Sequence, residues 1–300
     1  MCTSVYLSDG FFGRTLDFEN RFGEELLFSP RSSFTFGEAK NRYSVLGIGA
    51  MREGYPMYFD GMNEWGLCAA ALDFTGCARY SAYENGLPAG KLLAFVLGFC
   101  RSTEEAAEAI TRLGIVGEQD EAALHWMIAD KRGAIVVEQT IMGLDIRPNS
   151  VGVLTNSPPI DYHLIRLSDY AFLTAESPKN RLLALGVRHR YRGLGGVGLP
   201  GDFSSPARFV RASFLRENTV TDGDEVNRLF HILGGVSIPL GAVLADDGRP
   251  ISTIYTSVMD MENLSYHFTT YHSPTPRKTV LTPEMNEGRA IMALEKLDNM

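Results

Sequence analysis

The chain begins MCTSVYLSDGFFGRTLDF (residues 1–18), and this stretch organises the rest of the sequence. Two apolar runs, 2–8 and 11–18, flank Asp9-Gly10, a dipeptide typical of a tight turn between antiparallel strands. We therefore predict that the fold opens with a strand hairpin.

The second residue of the chain, Cys2, is a candidate nucleophile. Removal of the initiator Met1, which the small Cys2 side chain permits, leaves a thiol and a free α-amine on one residue. An α-amine with a pKa of about 7.7–8.0 acts as a base near neutral pH, and pairing it with a nucleophile is a known activation route. A cysteine alone is more often an ordinary small apolar residue, so its neighbours decide the interpretation.

Two charged residues of the second strand, Arg14 and Asp17, support a catalytic role for Cys2. Arg14 offers a fixed positive charge of the kind that favours a thiolate, and Asp17 would orient the amine or the arginine. Because they are three residues apart, an ideal strand directs them to opposite faces. We therefore expect a bend near Thr15-Leu16, or a strand end, if both side chains reach Cys2.

Composition and charge describe a globular enzyme and exclude several partner classes. The 300 residues are 45% hydrophobic and 21% charged, and 28 basic against 36 acidic residues give a net charge of −8. This balance argues against a nucleic-acid or anionic-membrane partner, both of which favour a basic face. Charged residues interrupt the opening segment, no apolar run approaches the roughly 18 residues of a membrane span, and we expect a cytoplasmic protein. The four cysteines and six histidines show no metal-ligand spacing, so we expect no metal and no cofactor.

Helix and strand signals alternate in groups along the chain. A capping box at Ser102-x-x-Glu105 and a stop at Gly114 predict a helix over 103–113, beside a preceding helix over 91–100. A second helix pair is predicted from Ser205 and over 224–233. Strands are predicted over 44–50, 66–74, 124–129, 134–140, 151–155, 252–259 and 264–271. The segment 21–42 is predicted to be a loop with one edge strand, and 282–300 is predicted to form a terminal helix. Grouped strands and grouped helices favour two antiparallel sheets facing each other, with helix pairs outside, in one domain spanning 1–300.

A glycine-rich segment at 186–203 contains a GxGxxG pattern at 193–198. No plausible strand leads into it, and Pro200 blocks a helix start, so we interpret it as a loop rather than a dinucleotide site.

Several short motifs stand in a characteristic order along the chain. They are Met1-Cys2-Thr3, Phe12-Gly13-Arg14-Thr15-Leu16-Asp17, Gly61-Met62-Asn63-Glu64-Trp65-Gly66-Leu67, Leu124-His125-Trp126-Met127, Val153-Leu154-Thr155-Asn156-Ser157-Pro158 and Gly198-Leu199-Pro200-Gly201-Asp202-Phe203-Ser204. Together they resemble the choloylglycine hydrolase family, which contains conjugated bile acid hydrolases and penicillin V acylases. The resemblance covers roughly residues 1–275.

The resemblance implies an α+β, four-layer αββα sandwich of the N-terminal nucleophile hydrolase type that cleaves a linear amide. It implies that Cys2 is nucleophile and base with Arg14 and Asp17 beside it, that Asn156 donates to the oxyanion, and that Arg208 is a second active-site arginine. His125, next to Trp126, is interpreted as a hydrogen-bonded core residue.

One position departs from the family pattern. Asp73 stands where bile acid hydrolases usually carry asparagine and penicillin V acylases tyrosine. The family's oxyanion donor at this place is the backbone N–H, which every side chain leaves intact. The carboxylate therefore bears on substrate choice more than on catalysis.

Several apolar residues are candidates for the wall of a substrate pocket: Leu16, Phe18, Met57, Phe59 and Ile135. The favoured substrate is a glycine- or taurine-conjugated bile acid. The alternatives are penicillin V or another N-acyl compound such as an acyl homoserine lactone, and a catalytically silent ligand-binding protein. The resemblance also implies a homotetramer, with the segment 188–200 packed against another subunit.

Overall fold

The computed structural model describes residues 1–81, 86–117, 122–179, 185–186 and 192–297. Its strands are β1 (Cys2–Leu7), β2 (Phe11–Phe18), β3 (Glu25–Ser29), β4 (Thr35–Phe36), β5 (Ala39–Lys40), β6 (Val45–Arg52), β7 (Tyr55–Tyr58), β8 (Asp60–Asn63), β9 (Cys68–Asp73), β10 (Leu87–Pro88), β11 (Ile115–Val116), β12 (Leu124–Asp130), β13 (Gly133–Thr140), β14 (Gly143–Pro148), β15 (Val153–Leu154), β16 (Val243–Leu244), β17 (Pro250–Asp260), β18 (Ser265–Thr270), β19 (Ser273–Val280) and β20 (Met292–Lys296). Its α-helices are α1 (Leu92–Phe99), α2 (Thr103–Leu113), α3 (Ile160–Ser168), α4 (Ser205–Asn218) and α5 (Glu225–Gly234).

Two large antiparallel sheets form the centre of the molecule. The first runs β15-β1-β2-β17-β18-β19, with β16 added to β17, and the second runs β14-β13-β12-β9-β8-β6-β3-β20, with β7 added to β6. Helices α4 and α5 pack on the first sheet, and α1 and α2 pack on the second. This arrangement confirms the predicted four-layer αββα sandwich.

Strand alternation explains why the sheets hold two separate cores. In β12, Met127 and Ala129 belong to the core that includes the space between the sheets, whereas Trp126 and Ile128 belong to the core under α1 and α2. Successive side chains of a strand point to opposite faces, so a strand buried on both sides reads as a continuous apolar run.

The opening hairpin is the predicted one. Strands β1 and β2 pair in regular register from Cys2 opposite Leu16 to Leu7 opposite Phe11, and Gly10 has a φ of 91° at the turn. Gly13 is needed for close packing, because a Cβ at this position would lie 2.7 Å from the Ser257 carbonyl oxygen.

The first predicted helix pair is also confirmed. Ser102 caps α2 by accepting a hydrogen bond from the Glu105 N–H at 3.2 Å, and Gly114 ends it with a φ of 68°. The glycine-rich motif at 193–198 is a loop, as predicted, with a turn at 195–198 that ends seven residues before α4 begins.

Two predictions about the fold were wrong. The tail 282–300 is not a helix: Pro283–Glu287 forms a 3₁₀ turn and β20 pairs with β3, while 298–300 lie outside the described residues. Pairing with a sheet edge overrides the helical propensity of residues such as Met, Ala, Leu, Glu and Lys. In the segment 21–42, β3 is an interior strand rather than an edge strand, because β20 covers its free side.

Among the described residues, no helix has the length and apolar character needed to cross a bilayer.

Candidate active site

Cys2 lies at the start of β1 with its side chain buried between the two sheets. Arg14, on the neighbouring strand, donates a hydrogen bond from Nη2 to the Cys2 sulfur at 2.8 Å. The guanidinium is held by two backbone carbonyls, that of Thr15 at 3.2 Å from Nε and that of Phe59 at 3.1 Å from Nη1. The sulfur therefore faces a fixed, fully buried cation.

A buried carboxylate behind Arg14 went unrecognised in the sequence. Asp60 Oδ2 lies 3.6 Å from Arg14 Nη1, and both side chains are fully buried. The carboxylate accepts hydrogen bonds from the hydroxyls of Tyr255, Tyr266 and Ser257. The sequence signal for Asp60 was weak: it is an acidic residue directly before the motif that starts at Gly61, in a strand that is otherwise uncharged.

Burial and charge act in opposite directions on this pair. Burial alone would lower the pKa of Arg14, but the nearby Cys2, Tyr255 and Asp60 raise it, so the guanidinium stays charged. Burial raises the pKa of Asp60, and Arg14 together with the hydroxyl donors opposes that shift.

Asp17 lies on the other face of β2 from Arg14. Its carboxylate accepts hydrogen bonds from the hydroxyls of Thr15 at 3.0 Å and Thr253 at 2.6 Å. Its backbone pairs with Met1, the Asp17 N–H donating to the Met1 carbonyl at 2.9 Å. Strand β2 pairs with β1 in regular register, so the bend expected near Thr15-Leu16 is absent. The irregularity lies instead in the neighbouring strand β17, whose register shifts between Thr253 and Tyr255.

Asn156 follows β15 and adjoins the backbone of Cys2. Its Oδ1 accepts hydrogen bonds from the Cys2 N–H at 2.9 Å and from Arg208 Nη2. Its Nδ2 donates to the Asp73 carbonyl oxygen at 2.9 Å. Two donors on Oδ1 fix the orientation of the amide, so that Nδ2 points to the side of Asp73.

Arg208 is the fourth residue of α4 and is fully buried. Nη1 donates to the Cys2 carbonyl and to Thr3 Oγ1 at 2.7 Å, and Nε donates to the Phe203 carbonyl at 2.9 Å. Burial lowers the pKa of Arg208, and the nearby Asp17 and Cys2 oppose this effect. The side chain thus ties α4 to the first two residues of β1 and to Asn156.

Asp73 ends β9 and is half-buried. Its Oδ1 accepts a hydrogen bond from the Thr75 hydroxyl. Within the described part of the chain it makes no ion pair with Arg14 or Arg208. Because N–H and C=O of one residue point the same way in an antiparallel strand, the Asp73 N–H lies on the side where its carbonyl meets Asn156.

A cavity of about 460 Å³ opens beside Cys2. Four of the five predicted pocket residues line it: Leu16, Phe18, Met57 and Phe59. The fifth, Ile135, does not. It lies on β13 and packs against the core under α1 and α2, because an apolar pattern alone does not tell which face of a doubly buried strand meets the pocket.

His125 is the buried, hydrogen-bonded residue that the sequence predicted. Its Nδ1 lies 3.0 Å from Glu138 Oε1 and its Nε2 lies 3.1 Å from the Thr155 carbonyl, while its ring stacks on Phe74. The structure adds His163, whose Nε2 lies 2.8 Å from the Asn156 carbonyl. Both histidines therefore support the segment that carries Asn156.

The site contains one nucleophile, two arginines, amide and backbone donors, and an apolar cavity. Among the described residues, no group of three His, Cys, Asp or Glu side chains is placed to hold a metal ion. The arrangement suits attack of a sulfur nucleophile on a carbonyl with amide donors beside it.

Comparison with known proteins agrees with this chemistry. The family model described as linear amide C–N hydrolases, choloylglycine hydrolase family, matches residues 2–286. A bile salt hydrolase/transferase of Lactiplantibacillus plantarum is 39% identical over 90% of this chain and 89% of that protein, and one of Clostridium perfringens is 35% identical over 97% and 95%. The crystal structure of a mutant conjugated bile acid hydrolase from Clostridium perfringens superposes with a TM-score of 0.90 at 33% identity, over 98% of this chain and 97% of that one.

Proposed function

Because the chain belongs to the choloylglycine hydrolase family of linear amide hydrolases, we propose that it hydrolyses conjugated bile acids with Cys2 as its nucleophile. One observation carries the proposal: the Cys2 sulfur sits beside an apolar cavity of about 460 Å³, hydrogen-bonded by Arg14. A steroid acyl group is large, rigid and mostly apolar, which suits such a cavity.

The reaction begins after Met1 is removed and the α-amine of Cys2 is free. The amine takes the thiol proton, the sulfur bonds to the amide carbonyl carbon, and the carbonyl electrons move to oxygen. The amine then passes the proton to the leaving nitrogen as the C–N bond breaks, which releases glycine or taurine and leaves a thioester. Water, deprotonated by the same amine, hydrolyses the thioester and restores the thiol.

The developing oxyanion needs donors that are already in place. An amide nitrogen carries two N–H groups, and Asn156 Nδ2 uses one on the Asp73 carbonyl, which leaves the second for the oxyanion. The Asp73 N–H lies beside it. Removing one such donor typically lowers kcat by about 10²–10³.

The test is a panel of glycine- and taurine-conjugated bile acids and penicillin V, read by release of glycine, taurine or 6-aminopenicillanic acid. We expect bile acid conjugates to be cleaved and Cys2→Ser to lose nearly all activity with the fold intact, because a serine hydroxyl is a much weaker nucleophile. Cys77→Ser, at a partly buried cysteine outside the site, is the matched control and should keep full activity.

Two outcomes would end the proposal. One is activity of Cys2→Ser within tenfold of the wild type. The other is an intact mass that includes Met1 in a fully active sample, because the mechanism needs the amine of Cys2 free. Cleavage of penicillin V alone would instead favour the acylase alternative.

We further propose a homotetrameric enzyme of the cytoplasm, with the segment 188–200 at a subunit contact. Of this segment, residues 188–191 lie outside the described residues, and 192–200 form a loop with a turn at 195–198. Light scattering on a version lacking 188–200 should show smaller particles, and an unchanged mass would refute the assignment. Cell fractionation tests the location.

A further inference from the structure

The side-chain amide of Asn156 is oriented by Arg208 and Cys2, but its backbone needs a separate anchor. Asn156 lies just after β15 ends, and within the described residues no backbone group of a sheet pairs with its N–H or C=O. The N–H donates to Ser205 Oγ at 2.8 Å, and Ser205 Oγ donates to the Asn156 carbonyl at 2.9 Å. One buried hydroxyl therefore holds both backbone polar groups of Asn156.

The hydrogen atoms around this hydroxyl can be counted. A serine hydroxyl has one hydrogen and two lone pairs. The hydrogen goes to the Asn156 carbonyl and one lone pair receives the Asn156 N–H, so Thr155 is the donor in its 2.9 Å contact with Ser205 Oγ. The same Thr155 hydroxyl also lies 3.2 Å from the Ser205 carbonyl oxygen, which shares its hydrogen. Loss of the Ser205 hydroxyl would leave the buried Asn156 N–H without a partner among the described residues, which costs about 1–3 kcal/mol.

His163 completes the anchor from α3. A carbonyl has no hydrogen to donate, so His163 Nε2 carries the hydrogen in its 2.8 Å contact with the Asn156 carbonyl. Burial lowers the pKa of His163, which keeps the ring neutral. The ring also stacks on Phe209 of α4, with centroids 4.9 Å apart.

The same helical turn holds the backbone and the side chain of Asn156. Ser205 is the first residue of α4, and Arg208, one turn later, donates to Asn156 Oδ1. Ser204 caps this turn by accepting from the Ala207 N–H at 3.4 Å. The first turn of α4 therefore holds both the backbone and the side chain of Asn156.

We propose that Ser205 is a positioning residue for the amide hydrolysis: its hydroxyl fixes the backbone of Asn156 and so places Nδ2 at the oxyanion. The inference rests on the proposed function, in which Asn156 is an oxyanion donor. Ser205 itself touches neither the Cys2 sulfur nor the cavity. Its loss should slow the chemical step without changing substrate binding or the reactivity of the thiol.

The experiment uses Ser205→Ala in the full-length protein. We expect kcat to fall about 10–100-fold with KM within twofold, because small misplacements of a catalytic group cost up to about 10² in rate. Alkylation of Cys2 by iodoacetamide at one fixed pH should keep the wild-type rate. Ser205→Thr, which retains a hydroxyl, should restore kcat to within about threefold of wild type. Ser213→Ala is the matched control, since Ser213 lies on the same helix and, within the described part of the chain, its hydroxyl bonds only the Phe209 carbonyl.

A double-mutant cycle separates positioning from a general structural effect. In an Asn156→Ala background, Ser205→Ala should lower kcat by less than twofold, because the group it positions is gone. An unchanged kcat in Ser205→Ala, a loss of equal size in both backgrounds, or a silent Asn156→Ala each overturns the inference. Failure of the proposed function itself would appear elsewhere, as an active Cys2→Ser.

A second variant covers the case in which Ser205→Ala does not fold. Thr155→Val keeps the shape of the side chain and removes the hydroxyl that donates to Ser205. It should lower kcat by about threefold in the wild-type background and leave kcat unchanged in the Asn156→Ala background. Equal losses in both would overturn the inference.

Discussion

Replacement of Asp73 by asparagine should change substrate preference more than it changes catalysis. The Asp73 carboxylate lines the cavity beside Cys2, is half-buried, and is bonded by the Thr75 hydroxyl. Since it has no ion pair with Arg14 or Arg208 within the described residues, its charge acts on whatever occupies the site. The leaving groups of glycine and taurine conjugates carry their own negative charge close to the scissile nitrogen.

The size of the effect follows from Coulomb's law. Two unit charges about 6 Å apart repel by about 0.7 kcal/mol at the dielectric constant of water and about 2.8 kcal/mol at an effective value near 20. A half-buried carboxylate lies between these limits, at about 1.4 kcal/mol, which is a factor of about ten in kcat/KM. Added salt should reduce this factor, because the Debye length falls to about 3 Å at 1 M.

The assay compares two substrates that share one acyl group. One is the glycine conjugate of a bile acid and the other is its glycinamide conjugate, which is neutral. Asp73→Asn should raise the ratio of kcat/KM for charged over neutral substrate about tenfold. Thr75→Val, which removes the hydrogen bond to Asp73 and keeps its charge, should leave the ratio within about threefold. A ratio that moves by less than twofold in Asp73→Asn, or an equal loss on both substrates, would refute the reasoning.

Three further predictions concern the cavity, the second histidine and a buried amide. Phe18→Ala should raise KM for a bile acid conjugate about tenfold with kcat within threefold, because a half-buried aromatic wall contributes roughly half of the 1.5–3 kcal/mol of full burial; a change in kcat alone would contradict this. Burial lowers the pKa of His163, so at acid pH the unfolded chain binds a proton more readily than the folded protein does. The free energy of unfolding should therefore fall as the pH drops below about 6.5. Urea unfolding at pH 7.5 and 5.5 should show a smaller fall for His163→Gln than for the wild type. Asn63 bonds four backbone groups, three of them in buried contacts, so Asn63→Ala should lower the free energy of unfolding by about 2–4 kcal/mol. The exposed Asn218→Ala should stay within about 0.5 kcal/mol, and equal losses in urea would count against the assignment.

Elements whose signals are local can be predicted from the sequence. The Asp9-Gly10 turn and the Ser102 cap each act within a few residues, and both hold in the structure. The tail at 282–300 was misread because its partner is β3, more than 250 residues earlier, and pairing of that kind leaves no local signal. The position of β3 inside the sheet escaped notice for the same reason.

The site divides in the same way. Cys2 and Arg14 are neighbours in one hairpin, so their contact follows from the register of two strands. Asn156 and Arg208 reach Cys2 across 154 and 206 residues, and only the order of several motifs pointed to them. Asp60 could not be identified from the sequence, because the hydroxyls that bond it lie about 200 residues away, on β17 and β18.

The spacing of Arg14 and Asp17, which argued against both serving Cys2, is explained by the two faces of one strand. Arg14 and the Cys2 side chain lie on the face toward the cavity, where the substrate carbonyl would meet the sulfur. Asp17 lies on the opposite face, toward α4, and its charge is among those that oppose the fall in the pKa of Arg208. Each face therefore carries one arginine, Arg14 bonded to the sulfur and Arg208 bonded to the backbone of Cys2. A three-residue interval in a strand is what such a two-sided site requires, because period-two alternation sends its ends to opposite faces.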